Sequence, residues 1–146
     1  MRLGRIMSNE YFEMLTDVER VTVARALLFL VKIDGRLDER ERNRMHEIVR
    51  VYGLTEDLSS LIKGITQDGV LRDLERNIQE RLKKLFVIRE LLTLANIDDD
   101  LDDTEARFIE SVANVLNVED EKVLDINELV LDRKIWLLKE EEIMNS

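Results

Sequence analysis

The sequence has no cysteine, which excludes a disulfide framework, a thiolate metal site and a cysteine nucleophile at once. It has no proline and five glycines, so few residues interrupt a helix. His46 is the one histidine; it follows Met45 beside an apolar stripe, in a segment rich in arginine, and reads as a surface or boundary residue. No G-x-S-x-G, Walker A loop, dinucleotide fingerprint or H-E-x-x-H is present, which removes the common enzyme signatures. Long hydrophobic runs are missing too. The longest, Ala26 to Val31, is shorter than a secretory h-region and far below the roughly 20 apolar residues that span a bilayer. The expectation is a soluble, cytoplasmic protein that is not itself inserted in a membrane.

The chain has 146 residues, 45% hydrophobic and 37% charged, about the size of a single domain with enough apolar material for a core. We expect one helical domain over residues 1–146, with its core at about 17–130, a flexible leader or alternative start over 1–7, and a C-terminal helix within 131–146. The formal net charge of −10 argues against nucleic acid, because a polyanion needs a basic face to displace its counterions. Cations and basic surfaces fit better.

Helical spacing of apolar residues runs through most of the chain. Val21, Ala24, Leu27, Leu28 and Val31 mark a helix over Asp17 to Ile33 that is apolar on nearly all sides and therefore central. Met45, Ile48, Val49 and Tyr52 share one face of a helix from Asp38 to Val51, closed by Gly53. A short helix opens at Thr55 and ends near Gly64; Asp68-Gly69 reads as a turn. A long stripe from Val70 to Asn96 is one helix or two joined by a kink. Further helices are expected over Asp102–Leu116, Glu119–Val130 and Asp132–Ile143. No stretch alternates with period two, so no strand is expected.

An internal repeat lies 64 residues apart. Ile33-Asp34-Gly35-Arg36-Leu37-Asp38-Glu39-Arg40-Glu41 matches Ile97-Asp98-Asp99-Asp100-Leu101-Asp102-Asp103-Thr104-Glu105 at five of nine positions. In each copy an apolar helix meets a tight acidic turn and then an amphipathic helix. Two copies at this distance suit a pseudo-two-fold bundle of two helical hairpins better than a solenoid. Asp38 and Asp102 stand at N-cap positions, each followed three residues later by Glu41 or Glu105, the spacing of a capping box. Capping accounts for these four acids without a ligand.

Capping does not account for the density of acids where Asp98, Asp99, Asp100, Asp102 and Asp103 fall within six residues. Dipole stabilisation at a helix start reaches only about 1 kcal/mol per carboxylate, and like charges oppose it. A hard cation such as Ca²⁺, Mg²⁺ or Mn²⁺ would relieve the repulsion; a plain solvated acidic loop is the alternative. An EF-hand fails, since a loop begun at Asp98 has Asp103 at position six and Ile109 at position twelve. The candidate ligands are Asp98, Asp100, Asp102 and Glu105, with Asp34, Asp38 and Glu41 in the first copy. That first copy is the weaker candidate, because Arg36, Arg40, Arg42, Arg44 and Arg50 face four acids between residues 36 and 50.

An apolar helix running into Asp-Gly-x-Leu-Asp-x-x-Glu, then an amphipathic helix ending in Tyr-Gly-Leu, with a diverged second copy, resembles the TerB-like family of tellurite-resistance proteins over about Val21 to Val130. The resemblance implies an all-α compact bundle of about seven to nine helices, acidic residues associated with metal, and a place in tellurite or general stress resistance. It implies protein partners as well, other Ter-type proteins including a membrane-embedded one, which would bring the chain to the inner face of the membrane. It implies no catalytic activity. The sequence departs from the pattern where Asp99 stands opposite Gly35.

Three functional classes follow. The first is a non-enzymatic binding module that takes a divalent cation through its acidic turns and acts within a protein assembly. The second is a metal-free interaction scaffold. The third, a metal-dependent hydrolase built from carboxylates alone, has only the acids in its favour. Ile135, Trp136, Leu137 and Leu138 form an apolar stretch ahead of Glu140, Glu141 and Glu142. This stretch either packs on its own bundle or docks a partner, a second copy in a homodimer included.

Overall fold

Thr16 and Glu19 begin the bundle. The Glu19 amide donates to Thr16 Oγ1 at 3.2 Å and the Thr16 amide donates to Glu19 Oε1 at 2.8 Å, a reciprocal capping box that satisfies two orphan donors. Helix α1, Asp17–Lys32, follows and buries Val23, Ala24, Ala26, Leu27, Leu28 and Leu30. The structure is a computed structural model that describes residues 12–33, 38–97 and 101–146. Among the described residues it is all-helical: a 3-10 turn at Phe12–Met14, α1, α2 (Glu39–Val51), α3 (Leu58–Ile62), α4 (Gln67–Asn77), α5 (Arg81–Ala95), α6 (Asp103–Val115) and α7 (Asp120–Met144).

The central position expected for α1 holds: it packs against α2, α3, α4 and α5. Helix α5 is the second pillar, touching α1, α6 and α7, and buries ten of its fifteen residues. One continuous apolar cluster runs from Leu15 to Leu137.

The two repeat copies end alike. Gly53 has φ +61° and Asn117 φ +57°, the left-handed conformation that glycine and asparagine tolerate best. Beyond them the Leu54 amide donates to Val49 O at 3.1 Å and the Val118 amide to Ala113 O at 2.9 Å, the long-range closure of a Schellman motif.

Three expected boundaries are corrected and one open alternative is decided. Asp68-Gly69 is not a turn but lies in the first turn of α4, because Thr66 caps that helix and accepts from the Gly69 amide at 3.1 Å. The short helix opens at Asp57, which accepts from the Ser60 amide at 2.8 Å, and not at Thr55. The stripe from Val70 to Asn96 is two helices, broken where Ile78 turns extended yet stays fully buried, so the apolar pattern continues across the gap. Gln79 Nε2 donates to the Glu75 and Arg76 carbonyls at 2.8 and 2.9 Å and ends α4. Finally, the segments Glu119–Val130 and Asp132–Ile143 are a single helix, α7. No proline or glycine interrupts it, and its bundle-facing side mixes Val130 and Leu137 with the half-buried Asn127, Arg133 and Lys134.

Candidate functional site

The acidic turns join α1 to α2 and α5 to α6. Asp38 Oδ1 accepts from the Glu41 amide at 2.8 Å, and Asp102 Oδ1 accepts from the Glu105 amide at 2.8 Å. In the second copy the Asp102 amide also donates to Glu105 Oε1 at 3.3 Å, completing the box. Four of the seven candidate ligands, Asp38, Glu41, Asp102 and Glu105, thus sit at helix starts, and the two aspartates act as caps. Asp34, Asp98 and Asp100 lie outside the described residues. Among the described residues no three His, Cys, Asp or Glu side chains converge to hold a metal ion.

Beside the first turn an open depression of about 520 Å³ is lined by Asp38, Glu39, Arg40, Asn43, Arg44 and Glu47. Arg44 Nη1 pairs with Glu47 Oε1 at 3.6 Å. Two guanidinium groups among three carboxylates leave the depression with a single net negative charge, a weak attraction for a cation. His46 is exposed on α2.

The structure also assembles buried charge that the sequence reading missed. Glu90 on α5 is 1% exposed. Tyr52 Oη donates to its Oε1 at 2.7 Å, the Arg89 guanidinium lies 3.8 Å from its Oε2, and Oε2 accepts no hydrogen bond among the described residues. Burial raises the Glu90 carboxyl to about 7, although the Tyr52 bond and the charges of Arg89 and Arg133 pull the other way. Burial likewise lowers Arg133 on α7 and raises the Tyr52 phenol well above its ordinary value, the latter reinforced by Glu90. The cluster thus joins the end of α2, the middle of α5 and α7. A sequence signal existed, since Glu90 interrupts an apolar stretch from Leu85 to Leu94.

A second buried pair joins α1 to α5. Lys83 Nζ donates to both Glu19 oxygens at 2.9 and 3.0 Å. Burial pushes Glu19 up, but the Thr16 amide and Lys83 outweigh it and hold the carboxyl below its usual range. Arg25 Nη1 pairs with Asp73 Oδ2 at 3.1 Å and its Nε donates to Leu61 O at 3.0 Å, tying α1 to α3 and α4. These contacts account for their charges without a ligand.

On α7 the arrangement differs. Leu137 packs inward, while Ile135, Trp136 and Leu138 are 52%, 62% and 45% exposed. The apolar C-terminal stretch is therefore divided between bundle and solvent, with one of its four residues buried.

A family model described as Tellurite resistance protein TerB matches residues 20–127, well over half of the chain. Neither the curated proteins nor the solved structures give a match.

Proposed function

Because the chain belongs to the TerB family, we propose that it works as a non-enzymatic binding module within a protein assembly, with α7 as the element that meets the partner. The observation that carries this reading is the exposure of Leu131, Ile135 and Leu138 along one line of α7, with Trp136 exposed beyond it. Contiguous apolar surface of this kind marks interaction sites. These residues lie C-terminal to the span that matches the family. In this reading the chain serves tellurite or general stress resistance beside other Ter-type proteins. It reaches the inner face of a membrane through a partner, as no helix among the described residues is long and apolar enough to cross one.

Affinity capture from the native host tests this, using wild type and the exposed-surface variant Leu131→Ser/Trp136→Ser side by side. Partners held by wild type and lost from the variant support the reading. An unchanged set of partners contradicts it.

A second reading, divalent cation binding at the second acidic turn, rests on the sequence: five aspartates fall within residues 98–103, and the cap uses Asp102 and Glu105. Oxygen ligands of this kind suit Ca²⁺, Mg²⁺ or Mn²⁺. Calorimetric titration at fixed ionic strength, with Asp98→Asn/Asp100→Asn/Asp102→Asn as the comparison, tests it. Saturable heat lost in the variant supports a cation site, and no heat up to millimolar metal leaves these acids as caps and solvated charge.

A further inference from the structure

Charge is sorted around α7. Its basic residues Lys122, Arg133 and Lys134 are half-buried against the bundle, and Lys139 alone among its bases is exposed. Of its acids, Asp120, Glu121, Asp125, Glu128, Asp132 and Glu142 are exposed, and only Glu140 and Glu141 near its end are half-buried. At about 100° per residue, Glu121, Asp125, Glu128 and Asp132 fall on a ridge opposite the inward line of Val123, Val130 and Leu137. An apolar row flanks this ridge on each side. Leu124, Leu131, Ile135 and Leu138 form one row, and Leu129, Trp136 and Ile143, each seven residues apart, form the other.

We propose that this outward half of α7 is a docking surface for a basic amphipathic helix of a partner protein. The inference rests on the binding-module reading and names the chemistry of the partner. The first row offers anchors at spacings of seven, four and three, which an apolar helix stripe can cover. The acids beside it then face the lysines and arginines that border such a stripe. A second copy of the chain is a poor occupant, because it would bring six exposed acids and one exposed lysine against the same set. An anionic lipid surface is repelled by the same ridge. An uncharged apolar partner would strip water from the ridge carboxylates without pairing them.

The test is an anisotropy titration of the full-length chain against three fluorescein-labelled peptides. The first is an amphipathic helix of leucine and lysine, the second has glutamate in place of every lysine, and the third has the composition of the first with its apolar stripe scrambled. The first should bind saturably, and the other two about tenfold or more weakly. Leu131→Ser/Ile135→Ser and, separately, Glu128→Lys/Asp132→Lys should each weaken the first peptide by about tenfold or more, while Glu110→Lys on the exposed side of α6 changes it less than about twofold. All these positions are exposed, so the variants keep their fold. Equal binding of the scrambled peptide, or α7 variants that bind like wild type, would overturn the proposal. So would sedimentation showing that Leu131→Ser/Ile135→Ser dissolves a dimer, which would make a second copy the occupant. If α7 substitutions release captured partners while no basic peptide binds, this inference fails and the binding-module reading stands. If capture is indifferent to α7, that reading fails as well.

Discussion

Replacing Glu90 with glutamine removes a titratable group that the fold forces out of water. Its carboxyl rises from an ordinary value of 4.5 to about 7, mainly through burial. The folded state therefore holds the proton more tightly than the unfolded state does. Stability from this group is fully present below about pH 4.5, declines as the pH rises toward 7, and is gone above it. The shift corresponds to about 3 kcal/mol in total, most of which falls between pH 5 and pH 8. Glutamine keeps an oxygen to accept from Tyr52 and cannot ionise. Urea unfolding followed by circular dichroism, on wild type and Glu90→Gln at half-unit steps from pH 5 to 8, gives the difference directly. Wild type should lose about 2 to 3 kcal/mol relative to the variant across that range. Parallel curves, with a difference constant within about 0.5 kcal/mol, would refute the argument that the ionised carboxylate is desolvated in the native bundle.

Other predictions follow from single contacts. Tyr52→Phe removes the hydrogen bond from Tyr52 Oη to Glu90, and should cost more at pH 8 than at pH 5, by about 1 kcal/mol or more, in the same unfolding assay. Asp102→Ala should cost about 1 kcal/mol through the lost cap while Asp102→Asn stays close to wild type, since asparagine caps as well as aspartate does; equal losses would contradict the capping role. Leu27→Ala at the centre of α1, where Leu27 is fully buried, should cost about 2–5 kcal/mol in unfolding free energy. Gly53→Ala, at φ +61° with open space around it, should cost about 1 kcal/mol through backbone strain alone.

Where the sequence carried local punctuation, the fold was legible. The Asp-x-x-Glu boxes placed the starts of α2 and α6, and Gly53 and Gly64 marked left-handed ends. The same kind of signal, Thr16 with Glu19 three residues on, opens α1. Periodicity failed where it was insensitive to the backbone. Ile78 stays buried through a break, so the stripe from α4 to α5 looked continuous, and α7 looked like two helices because many of its apolar residues face solvent. Asp68-Gly69 misled because a composition typical of turns also suits the first turn of a capped helix, where the glycine amide is the donor that Thr66 takes.

The acidic turns were visible as a motif, yet their capping geometry explains Asp38 and Asp102 without reference to a ligand. The Glu90 cluster could not be assembled from one dimension, as Tyr52, Glu90 and Arg133 come from three helices. Nor could the sorting of charge around α7, which depends on which side of that helix the bundle covers.

The central claim is that α7 meets another protein, and site-specific photo-crosslinking in cells tests it most directly. A photoreactive amino acid in place of Trp136, compared with the same group in place of the exposed Asn114 on α6, reports which surface is occupied. The account predicts discrete protein adducts from position 136 and none from position 114. Absence of adducts at 136, or the same adducts from both positions, would contradict it.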